Sequence, residues 1–318
     1  MAYLGRGSYV GIGEETTWGT AVAASHFRPL ISSSLTRTVS QLPRTDLHSS
    51  SGSAMRRSHF QESEEVSGSF SVLATYTGNI GLLLKHALGA AATTSTGGSP
   101  AYQHDYTLAA ALPAGLSIEN IRGTSGNSEK FEGCKINTLS LDVSAGSEMT
   151  CNFDIIGETA AARASASTVS VASTESVVLH HQAGQFSFNS ANYDLSSLSL
   201  TVNNNLDRRM LLGSKLTAEP TRSDFQEVTL SVELESTDAL YVALTASTTS
   251  DASITFTDSS SRTFTITLHN AYLSEFTDSI DGAGIVTASA TFVGESDGTD
   301  EGLLIRVVNG ANAPAQEE

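Results

Sequence analysis

Cations are scarce in this chain. Of its 318 residues only 17 are Lys or Arg, against 34 Asp or Glu, which gives a formal net charge of −17. Binding to phosphate needs clustered Lys and Arg, so a chain this acidic is a poor grip for nucleic acid and repels a polyanion that comes near. The same acidity serves solubility. Tryptophan occurs once, as Trp18, and cysteine twice, as Cys134 and Cys151. If the chain between the cysteines is a hairpin turning near Ala145-Gly146, the residue facing Cys151 lies near Ser140 and not at Cys134. Two reduced thiols are therefore expected, as in a reducing cytoplasm. No apolar run approaches membrane-spanning length, and residues 1–13 lack an apolar core of signal-peptide length.

Chemistry-bearing motifs are also missing. The stretch from Gly5 to Gly11 misses dinucleotide-loop spacing by one residue and follows no strand. Neither a G-x-S-x-G elbow nor a P-loop occurs. His180 and His181 are adjacent, and in a strand they would point to opposite faces, which is poor geometry for a metal. The acidic turn at 297–302 lacks the ligand spacing of a calcium loop and reads as solvated. Glu62, Glu64 and Glu65 read as a charged strand edge or channel-facing stretch before an acid/base pair. No catalytic residue, metal or cofactor is expected.

Ser, Thr, Gly and Ala are abundant, helix formers are sparse, and β-branched Thr and Val are common, a balance that favours short strands and loops. The chain also repeats itself. Ser33-Ser34-Leu35-Thr36-Arg37-Thr38-Val39 matches Ser196-Ser197-Leu198-Ser199-Leu200-Thr201-Val202 at five of seven positions. Arg57-Ser58-His59-Phe60-Gln61-Glu62 matches Arg222-Ser223-Asp224-Phe225-Gln226-Glu227 at five of six. Ile155-Ile156-Gly157-Glu158 aligns with Phe292-Val293-Gly294-Glu295, and without a gap Met149, Cys151 and Phe153 fall on Val286, Ala288 and Ala290. Agreement in parity matters, because a slip of one residue would turn every side chain of a strand over. The separations are 163, 165 and 137 residues, so the first half carries about 28 extra residues, placed in the loop-like segment 90–133.

The expected layout is an N-terminal arm (1–26), a first unit (27–158) with the 90–133 insertion, a linker (159–183), a second unit (184–310) and a tail (311–318). Each unit is expected to be mainly β, a sandwich or partial barrel with one short helix. Those helices are Asn79 to Gly89, with an Asn cap and a closing Gly, and Asp238 to Leu244.

The segment Gly11-Ile12-Gly13-Glu14-Glu15-Thr16-Thr17-Trp18-Gly19-Thr20-Ala21-Val22, followed by Phe27-Arg28-Pro29-Leu30, resembles the opening of the major tail tube proteins of long-tailed, siphovirus-type bacteriophages. The resemblance implies a virion structural protein with no enzymatic activity, made and assembled in the bacterial host cytoplasm. Its units would contribute strands to a continuous inner β-barrel. Its partners would be further copies of itself, the tape measure and tail completion proteins, and DNA in transit through the lumen, with no membrane binding. Two units per chain imply rings of three chains, with the insertion projecting three times per ring. Trp18 is expected to anchor the N-terminal arm by burial, and both termini to be arms ordered only on assembly. The Arg-rich stretches 42–58 and 205–223 are expected to cross to the next ring, with Arg56, Arg57, Arg208 and Arg209 meeting its acidic surface. The alternatives are a neck or minor tail protein, or a carbohydrate-binding, adhesive β-sandwich. The lack of a signal peptide and the thin supply of aromatics weigh against the adhesive.

Overall fold

The computed structural model describes residues 5–45, 58–123, 127–171, 176–280, 285–298 and 301–311. The protein is mainly β. Its first half runs β1 (Tyr9–Glu15), β2 (His26–Pro29), β3 (Ser32–Ser33), β4 (Thr36–Pro43), β5 (His59–Leu73), α1 (Ile80–Leu88), β6 (Gly89–Ser95), β7 (Tyr102–Leu108), β8 (Gly115–Ile121), β9 (Asn127–Ser144) and β10 (Thr150–Gly157). Two short strands, β11 (Thr159–Ala160) and β12 (Ala164–Ser165), and a 3-10 turn at His180–Gln182 follow. The second half runs β13 (Phe186–Phe188), β14 (Ala191–Tyr193), β15 (Leu195–Asn203), β16 (Leu206–Met210), β17 (Thr217–Arg222), β18 (Glu227–Glu235), α2 (Asp238–Thr245), β19 (Thr249–Thr257), β20 (Thr263–Ser279), β21 (Thr287–Val293) and β22 (Leu303–Asn309).

Strand pairing repeats between the halves. The first half pairs β1 with β2, β1 with β8, β8 with β9, β9 with β10, β10 with β5 and β5 with β4, all antiparallel. The second pairs β13 with β14, β13 with β19, β19 with β20, β20 with β21, β21 with β18 and β18 with β15, again all antiparallel. Two elements differ from expectation. Residues 9–15 do not trail as an arm: β1 lies between β2 and β8 with Val10 and Ile12 buried, and its counterpart is β13. The segment 90–133 is not mainly loop either, since β6 and β7 form a hairpin whose second strand pairs with β22, and β8 is buried along its length.

One junction fuses the halves. β9 pairs with β15 from Ser197 opposite Ser144 to Asn203 opposite Thr138. The central sheet therefore has the order β4-β5-β10-β9-β15-β18-β21-β20. The long strands β9 and β20 leave this sheet at their N-terminal ends, where β9 pairs with β8, β11 and β12, and β20 with β19 and β22.

Period-two alternation gives the inner strands of this sheet one dry side. Cys151, Phe153 and Ile155 are buried on β10, as are Leu139, Leu141 and Val143 on β9, and Leu198, Leu200 and Val202 on β15. Phe70 stacks on Phe153 with ring centroids 5.2 Å apart. α1 adds Ile80, Leu82, Leu83, Leu84 and Leu88 to this core. The helix closes at Gly89, whose N–H donates to the Lys85 carbonyl, but the Asn79 side chain makes no capping hydrogen bond. Burial holds α1 in place where the cap was expected to. Cys151 faces Leu141, and both cysteines are buried free thiols.

Two buried charged side chains are held by specific partners. Arg28 donates to Thr75 Oγ1 at 3.0 Å and to the Leu73 carbonyl at 2.8 Å. Glu64, on the dry side of β5, accepts from Arg37 Nη2 at 2.6 Å and from the Thr159 hydroxyl. Burial alone would raise the Glu64 pKa, but the Arg37 and Thr159 hydrogen bonds outweigh it and hold the carboxyl below its ordinary value of 4.5.

Two outcomes are expected. Phe153→Ala should lower stability by about 3–5 kcal/mol in denaturant titration, because it removes a fully buried ring and leaves a cavity. A carboxyl with a lowered folded-state pKa stabilises fully above its unfolded pKa, and that contribution disappears as pH falls through the folded value. Glu64→Gln should therefore melt below wild type at pH 7 and show a flatter loss of Tm between about pH 5 and 3. An unchanged acid limb in the variant would remove Glu64 from the account.

Candidate functional site

The side of the central sheet away from the core is built almost entirely of hydroxyls, amides and carboxylates. The registers set them in rows across the strands. One row runs Thr150, Asp142, Ser199, Ser231, Thr291 and Glu275, from β10 to β20. A second runs Ser71, Asn152, Ser140, Thr201 and Thr229, and a third Ser69, Asp154, Thr138, Asn203 and Glu227. Neighbours hold each other down: Ser199 Oγ donates to Asp142 Oδ1 at 2.6 Å, Ser197 Oγ to Glu233 Oε2 at 3.0 Å, and Ser71 Oγ to Asn152 Oδ1 at 2.9 Å. Burial pushes the Asp154 carboxyl above its ordinary range, against the hydrogen bond from Asn137.

Among the described residues of this face the strands carry a single cation, Lys135, opposite Ile156 at one margin. Its ammonium is held by Glu219 Oε1 at 2.6 Å, on the β16–β17 hairpin. Short hydroxyl side chains satisfied by their neighbours leave a low surface whose free charge is negative. A polyanion finds neither cation nor deep contact there.

The β16–β17 hairpin closes one end of this face. Arg208 donates to Glu65 and, at 2.7 Å, to the Val66 carbonyl, so it is engaged within its own chain. Arg209 is exposed and donates to the Glu219 carbonyl at 2.8 Å. Met210, Leu211 and Leu212 stand exposed beyond it. Arg56 and Arg57 lie outside the described residues. Of the three glutamates read as a charged strand edge, Glu64 is buried against Arg37 and Glu65 faces Arg208 on the polar side.

The glycines, Glu15 and Trp18 of the N-terminal motif each have a structural use. Glu15 is buried, and its carboxylate accepts from the Gly19 N–H at 2.9 Å, the Ser117 hydroxyl at 2.7 Å and the Gly133 N–H at 3.0 Å. Trp18 is half-buried and donates its Nε1–H to the Gly133 carbonyl at 3.0 Å. A Cβ at Gly11 would stand 2.8 Å from Ala24 Cβ, and one at Gly13 2.8 Å from the Ala23 carbonyl oxygen, so the returning chain requires glycine at both. Sequence reading missed the partners of Glu15 and the burial of Arg28. The G-x-G-x-E spacing marked the first, and nothing local marked the second.

No group of three or more His, Cys, Asp or Glu side chains capable of holding a metal occurs among the described residues. His180 and His181 sit in the 3-10 turn with their rings edge to face, and His180 Nδ1 lies 3.2 Å from the Ser147 carbonyl oxygen. No helix among the described residues is long and apolar enough to cross a membrane. A search of curated proteins finds no match. Comparison with protein families matches residues 5–294 to the family described as phage tail tube protein. That span covers the motif, the first half, the second half through β21 and the whole central sheet, and the chain therefore belongs to the phage tail tube proteins, structural components of the virion tail.

Proposed function

We propose that this chain is the major tail tube subunit, in which two tandem units per chain give rings of three copies that stack into a hollow tail. The observation that carries this reading is the eight-stranded central sheet, open at both edges, with one apolar side on the core and one side of hydroxyls and carboxylates. Three such sheets joined edge to edge close an inner barrel, with the polar side toward the lumen. DNA crosses such a lumen without sticking, because the wall offers carboxylates and satisfied hydroxyls where binding needs cations. The tape measure protein would occupy the same lumen before ejection, and tail completion proteins would cap the stack.

The stretches 42–58 and 205–223 reach the adjacent ring in this reading. Arg56, Arg57 and Arg209 are the cations offered to its acidic surface, and Met210, Leu211 and Leu212 add apolar area at the hairpin end. Arg208 acts instead inside the chain, through Glu65.

A reconstruction of assembled protein tests these points. Threefold rings with the 205–223 hairpin crossing between them are expected, and six chains per ring or lone monomers would sink the reading. Lumen charge is tested by Asp142→Lys with Glu233→Lys. Tubes should form, while particles carrying them should eject DNA severalfold more slowly and with steeper salt dependence. Unchanged ejection would place this face away from the DNA.

A further inference from the structure

We infer that an apolar pocket at the start of β15 is a socket for a second copy, and that Leu211 and Leu212 at the tip of the β16–β17 hairpin are the plug that fills it. This rests on the tube-subunit reading and names the receiving site, which that reading leaves open. β15 carries both parts. The hairpin follows its last residue, Asn203, and the pocket lies over Leu195 to Leu198 at its beginning. Nine residues of strand hold plug and socket about 30 Å apart. A copy displaced along the strand direction therefore brings its plug to the socket of the copy ahead, and the same step repeats without closing.

The plug is apolar and unused within its own chain. Leu211 is 57 % and Leu212 106 % exposed, and the Ser214 N–H donates to the Leu211 carbonyl to turn the chain there. A Cβ at Gly213 would meet nothing within 4 Å, so the turn stands clear of the fold. Behind the tip the hairpin is braced. Arg208 pairs with Glu65, Glu219 with Lys135, and the Lys215 carbonyl accepts from the Glu64 N–H at 2.8 Å. Consecutive exposed side chains at Met210, Leu211 and Leu212 on a braced turn mark a contact surface, where a single one would not.

The socket is bounded by Val143 and Ala145 from the end of β9, Leu195 and Leu198 of β15, and Ile254 and Phe256 of β19. Its volume is about 80 Å³, against the roughly 10–15 Å³ that holds one water, so it has room for the end of an aliphatic side chain. Charge complements shape. Residues 208–216 include Arg208, Arg209 and Lys215 and no acid, whereas 139–153, 176–205 and 227–245, which form and surround the socket, contain no Lys or Arg. Glu148 bridges to Leu179 beside it, Asp194 precedes it on the chain, and Glu233 holds Ser197 on its rim. Arg209 and Lys215 flank the two leucines, so a basic plug meets an acidic rim. Plug against plug, or socket against socket, would set like charges together, and this gives the stack a single polarity.

Blocking plug and socket separately tests the joint. Leu212→Asp, at a fully exposed position, should leave subunits folded by circular dichroism and rings intact, with loss of stacked tubes in electron micrographs. Ala145→Trp, on the exposed turn at the socket, should give the same isolated rings by filling the seat. Mixed as preformed rings, the two variants should form pairs and nothing longer, because each retains one working half of the joint. If Ala145→Trp fails to fold, oxidation of assembled protein carrying Leu212→Cys with Ala145→Cys takes its place. A ladder of covalently linked chains is then expected, since both native thiols are buried. Tubes of normal length from either folded variant, a mixture that stays single, or oxidised tubes that yield only single chains would overturn the socket while leaving the tube reading intact. Wild-type protein that never forms rings would overturn the tube reading itself.

Discussion

Between Thr138 and Ser144, β9 lies hydrogen-bonded to β15, and through that strip two four-stranded sheets become one. Without it, β9 and β15 would each present an open edge and a half-covered apolar side. With it, Leu139, Leu141 and Val143 continue directly into Val202, Leu200 and Leu198, and one core runs beneath the inner strands of the sheet. The same alternation that buries these residues delivers Ser140, Asp142 and Ser144 to the opposite side. A dry core and a wet, anionic surface are thus two aspects of one register, and neither can shift without the other.

The polar surface offers few contacts to a polyanion, by composition and by saturation together. Ser and Thr side chains are short, so they project little from the sheet. Cross-strand hydrogen bonds such as Ser199 to Asp142 occupy them, so little donor capacity is left for a passing phosphate. Cations on or near the sheet are engaged within the chain: Arg28 in the core, Arg37 on Glu64, Arg208 on Glu65 and Lys135 on Glu219. The net charge of −17 thereby acquires a geometry that composition alone does not specify.

Alternating strands were the legible part of the sequence, because one buried side writes a period of two into the residues. The cores of β10, β15 and β18 could be read that way, and so could the repeat, whose anchors fall on β4 with β15, β5 with β18 and β10 with β21. β1 was hidden because its alternate positions are Gly11 and Gly13, where the returning chain at Ala23 and Ala24 leaves no room for a side chain. A strand packed by its neighbour's backbone has little apolar pattern to show. β6 and β7 were hidden by composition, since Ala and Thr suit a strand pairing with distant residues as well as they suit a loop. Their partner β22 lies about 200 positions further on, as Tyr102 opposite Asn309 illustrates, and no local signal carries that information. The polar side was anticipated only as charge balance, because which hydroxyls share a surface depends on registers set by pairing.

The position of β22 between β20 and β7 has a consequence for the order of events during synthesis. A ribosome delivers β7 early and must emit nearly the whole chain before the strand that covers its edge appears. The β6–β7 hairpin of the first half therefore waits, and the second half is not braced against it until Leu303–Asn309 has emerged. β20 is held by β21 and β22, both made after it. A partly translated chain thus lacks the strands that fix β20, and this edge of the sheet is set only when they emerge. Placing a fastening strand late in the message makes closure of the fold one of the last events of its synthesis.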